Sequence, residues 1–471
     1  MVATAQRKQV LAAGASWNFP LFHPVAKPRR WSHENPYLYQ VIHRVEVAGR
    51  VVDEVTTSLG IRTFRSDPDK GFFLYEKPML IKGVCNHHDA GNLGAVMPRA
   101  VLERRLRILK DIGVNAIRCS HNPMQDDLYD LCDRMGFLVM DEAFDEWELG
   151  KRKWVKGRNV GATNAIGLAS MLDVAGYNYQ EVNYDADHKA FPGRIIIGSE
   201  NGHMVDAWHA VTDKPFISGQ FLWTGFDFLG EANSWPSHGS HAGLFDTAGF
   251  IKPVGLLREA LWSDRPVLHL AAHGADFHHP RIHWNKIADE TGPVSVVAFS
   301  NLPEVTLELN GKVIGSAQPK DGTARWSVSW QAGRLVVTGK TADGKTLTDQ
   351  LQSTGPAARI RLTADRPLLR NDGRDAVHVI IDLLDDAGLP VSGDDRLVTV
   401  SIANPARLAA LENGDQEDNT PAKSASRKTR AGKALAIVQA SGTGTSATIT
   451  VSADGLPSSE IRLELVSDGS P

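Results

Sequence analysis

RIIIGSENGH, residues 194–203, is the stretch on which the reading of this chain turns. Ile195, Ile196 and Ile197 form a β-branched run suited to a strand buried on both faces, as in a parallel sheet covered by helices. Gly198 and Ser199 end the run, and Glu200 stands directly behind it. In a parallel α/β barrel the carboxyl ends of the strands carry the chemistry, so a glutamate there is a candidate nucleophile or general base. It is also the kind of group that a structural ion pair recruits. The neighbouring segments have to separate these readings.

Working outward, the same beat recurs from about residue 79 to 262. MLIKGV (79–84) reads as a strand ending at NHHD, followed by a helix with Leu102, Leu106 and Leu109 on one face. AIRCS (116–120) ends at His121, and Leu128, Leu131, Cys132 and Met135 mark an amphipathic helix closed by Gly136. FLVMDE (137–142) is the third strand. GKRKWVKGRNVGATNAIG (150–167) then breaks the rhythm, being rich in Gly and Lys and without a strand pattern. The beat resumes in LASMLDVAGYNY, RIIIGSE and FISGQFLW, giving about six units where a closed barrel has eight.

The flanks have another texture. Residues 1–30 show no usable period, and 31–67 hold two or three strands, too few for a sandwich of about seven. After residue 267 nearly everything is short alternating strands. VTLELNGKVIG places Val305, Leu307 and Leu309 inward and turns at Asn310-Gly311, and from about 356 a second module alternates Val377, Val379, Ile381 and Leu383. The expected fold is therefore multidomain: an incomplete (β/α)8 TIM-type barrel over 68–266, flanked by a partial immunoglobulin-like segment at 31–67 and immunoglobulin-like β-sandwich domains at 267–355 and 356–471. Neither sandwich gathers catalytic side chains, so both read as packing and spacing domains, with 411–432 as a mobile polar loop.

The 471 residues exceed what one core organises. A net charge of −4 gives no electrostatic reason to expect nucleic acid or an anionic membrane, which leaves a small ligand. Three cysteines, Cys85, Cys119 and Cys132, fit buried thiols better than a disulfide frame, and no CxxC or HExxH suggests zinc. The first residues carry only a short apolar patch and no stretch would span a bilayer. The chain reads as soluble and, as it stands, cytoplasmic, with a periplasmic location and self-association left open.

Polar or aromatic groups close each barrel strand: Asn86, His87, His88 and Asp89; His121 and Asn122; Asp141 and Glu142; Glu200; Trp223. Strand ends of a barrel converge on one pocket, and this set joins carboxylates, hydroxyl-binding groups and a sugar-stacking ring. Each residue also has a plainer reading: His88 and Trp223 as core, Asp141 and Glu142 as helix caps.

The runs GVCNHHDAGNLG, NAIRCSHNP, LYDLCDRMGFLVMDEAFDEW, DVAGYNYQE, IIIGSENGH and GQFLWTGFDFLGE resemble, in this order, the catalytic barrel of glycoside hydrolase family 2, most closely its β-galactosidases. FSNLPEVTLELNGK and LAALENGD resemble that family's trailing immunoglobulin-like domains, and WSHENPYLYQV the last strands of the domain before its barrel. The resemblance implies hydrolysis of a terminal β-galactoside with retention. It puts Glu200 at the nucleophile position, His121 and Asn122 on the sugar hydroxyls, and His88 and Asp89 on the first rim. Glu142 falls at the pocket lining and Trp223 under the galactose.

The resemblance also exposes a gap. The family's acid/base glutamate lies in a strand ending in Asn-Glu, and no such motif follows an apolar strand between residues 143 and 200. The missing motif coincides with the strandless stretch around 155–165, and Asp145, Glu146 and Glu181 are the candidate stand-ins. The sugar-binding domain that precedes the family's barrel is missing too. Removing barrel units leaves unpaired strand edges, which invite aggregation. No cofactor is required by any motif, and the divalent cation used by some members stays open because its ligands lie partly in the missing stretch.

Overall fold

The computed structural model describes residues 2–143, 164, 167–232, 234–274, 281–287, 291–403 and 405–467. Six parallel strands form the central sheet: β1 (Ile81–His87), β2 (Ala116–Ser120), β3 (Leu138–Met140), β4 (Ala175–Asn178), β5 (Ile196–Asn201) and β6 (Ile217–Leu222). Their order is β3-β2-β1-β6-β5-β4, so the first and last strands of this sheet pair in the middle and the curved sheet stops at β3 and β4. This is the (β/α) barrel of the sequence reading with two strands fewer than closure requires among the described residues. The stretch 144–163, which includes Asp145 and Glu146, lies outside them.

Two strands run further than their composition suggested. β5 continues through Gly198 and Ser199 to Asn201, so Glu200 sits within the strand rather than behind it, and β1 reaches His87. Gly198 permits this because a Cβ there would lie 2.2 Å from Asn201 Oδ1, and the pairing with β4 slips between Gly198 and Glu200. A local irregularity of this kind re-aims the side chain that follows it.

The helices α1 (Arg99–Asp111) and α2 (Asp126–Met135) cover β1 to β3. Leu102, Leu106, Leu109, Leu128, Leu131 and Cys132 are all buried in one cluster with Val84 and Ile117, as the 3.6-residue spacing requires. Gly136 ends α2 in the left-handed conformation, its N–H donating to Cys132 O. On the inside of the barrel a second cluster joins Ile81, Cys85, Ala116, Ile197 and Phe221. Phe72 and Leu74, from a small sheet that precedes β1, join it and plug the end of the barrel opposite the site. All three cysteines are free and buried.

Before the barrel, Tyr39–Val47 and Arg50–Leu59 form an antiparallel hairpin that is mostly exposed. After it come two sandwiches. The first packs sheets of three and four strands around Leu270, Val296, Val305, Leu307 and Leu335, with Asn310 and Gly311 both at positive φ in the expected turn. The second packs sheets of four and five strands, and Val377, Val379, Ile381 and Leu383 are fully buried between them. The polar segment expected to be a mobile loop is tied down instead. The Arg427 guanidinium is buried and donates to the Asp418 carboxylate and to the carbonyls of Thr420 and Pro421.

No helix among the described residues is long and apolar enough to cross a membrane.

Candidate active site

The strand ends do converge. Glu200 is 8% exposed, and its carboxylate accepts a hydrogen bond from Arg118 Nη1 at 2.8 Å. Arg118 projects inward from β2 and offers its other terminal nitrogen, Nη2, to Glu142 at 2.5 Å. Glu142 in turn accepts from His121 Nδ1 at 3.0 Å. One guanidinium thus holds two carboxylates from two different strand ends, a fork geometry that fixes orientation as well as charge. Arg118 Nη1 also donates to the Ser199 carbonyl at 2.9 Å, so the cation grips the β5 backbone beside Glu200.

The titration of these groups follows from their partners. Partial burial alone would raise the Glu142 carboxyl, but the His121 hydrogen bond and the Arg118 charge outweigh it and hold Glu142 below the usual carboxylate range. Cys85 lies under the same guanidinium, with Arg118 Nη1 3.4 Å from its sulfur; burial pushes its thiol up to about 12, so it packs as a neutral group. The Tyr179 phenol follows β4 and is pushed up by burial and by the Glu200 carboxylate, while its backbone N–H donates to Glu200 O at 2.7 Å.

An aromatic wall stands beside the carboxylates. Trp223 stacks on His121 with centroids 5.3 Å apart and meets His87 edge-on at 4.9 Å. His87 lies flat on Phe228 at 3.5 Å. Trp223 is partly buried at the top of the interior cluster, so it is neither free nor wholly core. The peptide bonds Ser120–His121 and Trp223–Thr224 are cis.

Of the residues expected from sequence, Glu200, Glu142, His121 and Trp223 come together. Asn122 does not join them: it is exposed, and its side-chain amide donates to the Pro123 carbonyl at 2.8 Å. Asp89 faces a different task. Its two oxygens accept from the N–H of Gly91 at 3.0 Å and of Leu229 at 3.1 Å, which makes it a clasp between two loops. His88 follows His87 at the same rim, half-buried, and the stacking role there belongs to His87. Sequence reasoning missed Arg118, although an arginine in the middle of a wholly buried strand is itself a signal, since a buried cation needs buried anions. It also missed Phe228 and Tyr179. Among the described residues, no three His, Cys, Asp or Glu side chains stand together as a metal site's ligands would.

A partly open parallel barrel with two carboxylates forked on one arginine and a ring wall at its carboxyl face has the form of a (β/α)-barrel enzyme site. Residues 68–189 match the family described as glycosyl hydrolases family 2, TIM barrel domain; 2–62 match glycosyl hydrolases family 2; 360–462 match glycoside hydrolase family 2 C-terminal domain 5; and 291–348 match a domain of unknown function. A glycosyl hydrolase family 2 member from Bacteroides cellulosilyticus, known as a crystal structure, superposes with a TM-score of 0.85 at 31% identity, over 93% of this chain and 69% of that one. The β-galactosidase BoGH2A of Bacteroides ovatus is 28% identical over 93% of this chain and 68% of its own length. A putative β-glucuronidase of Formosa agariphila is 25% identical over 84% of this chain, which spans only 49% of that protein. The chain belongs to glycoside hydrolase family 2.

Proposed function

We propose that the pocket takes a terminal β-galactosyl residue and that Glu200 is its nucleophile. The observation that carries this reading is the Glu200 carboxylate, pinned by Arg118 at the barrel's carboxyl face beside the His87, His121 and Trp223 rings. In the step envisaged, a Glu200 oxygen bonds to the anomeric carbon as the bond to the leaving oxygen breaks. Water then attacks the same carbon, its proton passing to the acid/base group or to solvent, which releases galactose with net retention and restores the carboxylate.

Such a reaction needs a second carboxyl group about 5 to 5.5 Å away to protonate the leaving oxygen. Glu142 is poorly suited, because an acid must hold its proton and Glu142 is held ionised. Glu181 has the opposite character, its carboxyl raised by burial just beyond β4, and Asp145 and Glu146 lie outside the described residues. The family resemblance locates the donor between β3 and β4, where residues 144–163 lie outside the described ones. Without one, ordinary alkyl galactosides are expected to turn over about 100- to 10,000-fold more slowly, since that is the range contributed by general acid catalysis. The aglycone of a 2,4-dinitrophenyl galactoside leaves as a stable phenolate and escapes the requirement.

Mixing the chain with that galactoside and digesting it for mass spectrometry is the test. A hexosyl group on the peptide holding Glu200, absent in Glu200→Gln, supports the proposal; no adduct in the wild-type chain, or an adduct that survives the substitution, sinks it. Running the glucuronide in parallel decides the sugar, because the relatives carry both names. The competing reading, a carbohydrate-binding protein that does not cleave, draws on both carboxylates being occupied by Arg118. Galactose affinity without any adduct would favour it.

A further inference from the structure

The second sandwich sends one side chain into the barrel. Glu412 ends the strand Ala406–Glu412 and is 3% exposed, yet it faces the barrel rather than its own sandwich core. One carboxylate oxygen accepts the backbone N–H of Asn92, and the other accepts the Thr247 hydroxyl at 3.3 Å. Asn92 returns the contact, its side-chain amide donating to the Leu411 carbonyl at 3.2 Å. Gly91 is at φ +57°, and a Cβ there would sit 2.5 Å from Glu412 Oε1, so the turn Gly91–Leu93 is shaped around this carboxyl.

The turn leads directly to the pocket. Asp89 accepts from the Gly91 N–H at its near end and from the Leu229 N–H at its far end. Leu229 pairs with Gly239 in a short hairpin whose other residue, Phe228, lies flat on His87 and edge-on to Trp223. Arg105 of α1 braces the same path, donating to the Asp89 carbonyl at 2.6 Å and lying over the Phe226 ring. The sandwich also holds the hairpin's far side, where the His238 N–H donates to Gln416 O at 3.0 Å.

We propose that Glu412 is a positioning residue for the sugar pocket: by fixing the Gly91–Leu93 turn it keeps Asp89 on the Leu229 amide, and so keeps Phe228 under His87 and Trp223. This rests on the reading of the His87, His121 and Trp223 wall as a sugar site. It assigns the trailing domain a part in the pocket, where its sequence suggested only spacing. The charged groups facing Glu412 are Arg105 from α1, Asp246 from the loop before Pro253–Trp262, and Arg427 from its own sandwich; Asp246 in turn faces Arg430, Lys252 and Asp227. Burial raises the carboxyls of both Glu412 and Asp246 to about 7, so this neighbourhood gains charge as pH rises toward that value.

Hydrogen exchange of the whole 471-residue chain without ligand tests the positioning by itself. In Glu412→Ala the peptides covering Gly91–Leu93 and Phe228–Leu229 should exchange at least tenfold faster, while the strand Val377–Leu384 keeps its wild-type protection. Glu412→Gln retains a carbonyl acceptor for Asn92, so its protection should stay within about threefold of wild type. It should also lessen the loosening that wild type shows as pH rises from about 4.5 to about 7, after correction for intrinsic exchange, the share due to Asp246 remaining. Galactose affinity should follow exchange, falling at least tenfold in Glu412→Ala. Unchanged exchange at Phe228–Leu229 in a folded Glu412→Ala chain overturns the proposal, as does a Glu412→Gln chain as loose as Glu412→Ala. If the wild-type chain binds no galactoside while the exchange pattern appears, the sugar reading fails and the positioning stands.

Discussion

The two sides of the barrel are built to different standards. On one side β1, β2, β5 and β6 each have a strand on both flanks; the last three are buried at every position, and β1 at all but Lys82 and His87. On the other, β3 and β4 have no outer partner among the described residues: Val139 is 37% exposed, and β4 alternates buried Ala175 and Tyr177 with exposed Gly176 and Asn178. The proposed nucleophile, its arginine and Trp223 all belong to the complete side. On the proposed reading, the proton donor that a retaining glycosidase needs falls on the incomplete one, so that forming a glycosyl-enzyme and protonating its leaving group rest on different strands.

Arg118 is where that separation is strongest and where a single change should do most. Its side chain is 9% exposed and those of Glu142 and Glu200 are 19% and 11%, so Arg118→Met would strand two carboxylates in a site with little water. Removing one member of a buried pair costs about 3–5 kcal/mol. Denaturant unfolding should show a loss of that size, smaller at pH 4 than at pH 7 because Glu142, which Arg118 helps hold below the usual carboxylate range, loses its charge on acidification. A loss under about 1 kcal/mol, with no such pH dependence, would mean that the complete side does not depend on its cation.

Matched truncations compare the sides directly. Ile117 in β2 is fully buried against both helices, and Ile117→Ala should cost about 2–5 kcal/mol. Val139→Ala, on the open edge, removes a side chain that already meets solvent and should stay within about 0.5 kcal/mol. Equal losses from thermal or denaturant unfolding would show that β3 is as well covered as β2, and would remove the contrast.

Much of this was legible in the sequence for a physical reason. Helix faces such as Leu102, Leu106 and Leu109 and sandwich faces such as Val377, Val379 and Ile381 write their burial as a period. Glu200, His121 and Trp223 declared themselves as polar or large groups placed just where apolar runs stop. Asn122 misled because position at a strand end says nothing about which way an amide turns, and a neighbouring carbonyl was available to it. Asp89 looked like a ligand and serves as a clasp, since its partners are backbone N–H groups, which carry no mark in the sequence. Glu412 was hidden for a related reason: contacts between residues about 320 positions apart leave no local pattern.

The smallest effect separates the sides by sign. His203, just beyond β5, is half-buried with Nε2 on the Ala242 carbonyl, and burial of its ring lowers its pKa from 6.5 to about 3. Between those values the unfolded chain binds the proton and the folded chain does not, so this stabilisation is complete above about pH 6.5 and is lost as the pH falls toward 3. Glu181, just beyond β4, has its carboxyl raised by burial, so its contribution is present below the ordinary glutamate value and lost as the pH rises through the raised one. Acidification from pH 7 to 5 should therefore loosen the segment around β5 and tighten the segment around Glu181. Peptide-resolved hydrogen exchange, corrected for intrinsic rates, reads both at once. His203→Asn should flatten the first trend without touching the second; the same sign in both segments would show that one global titration, not two local burials, governs the barrel.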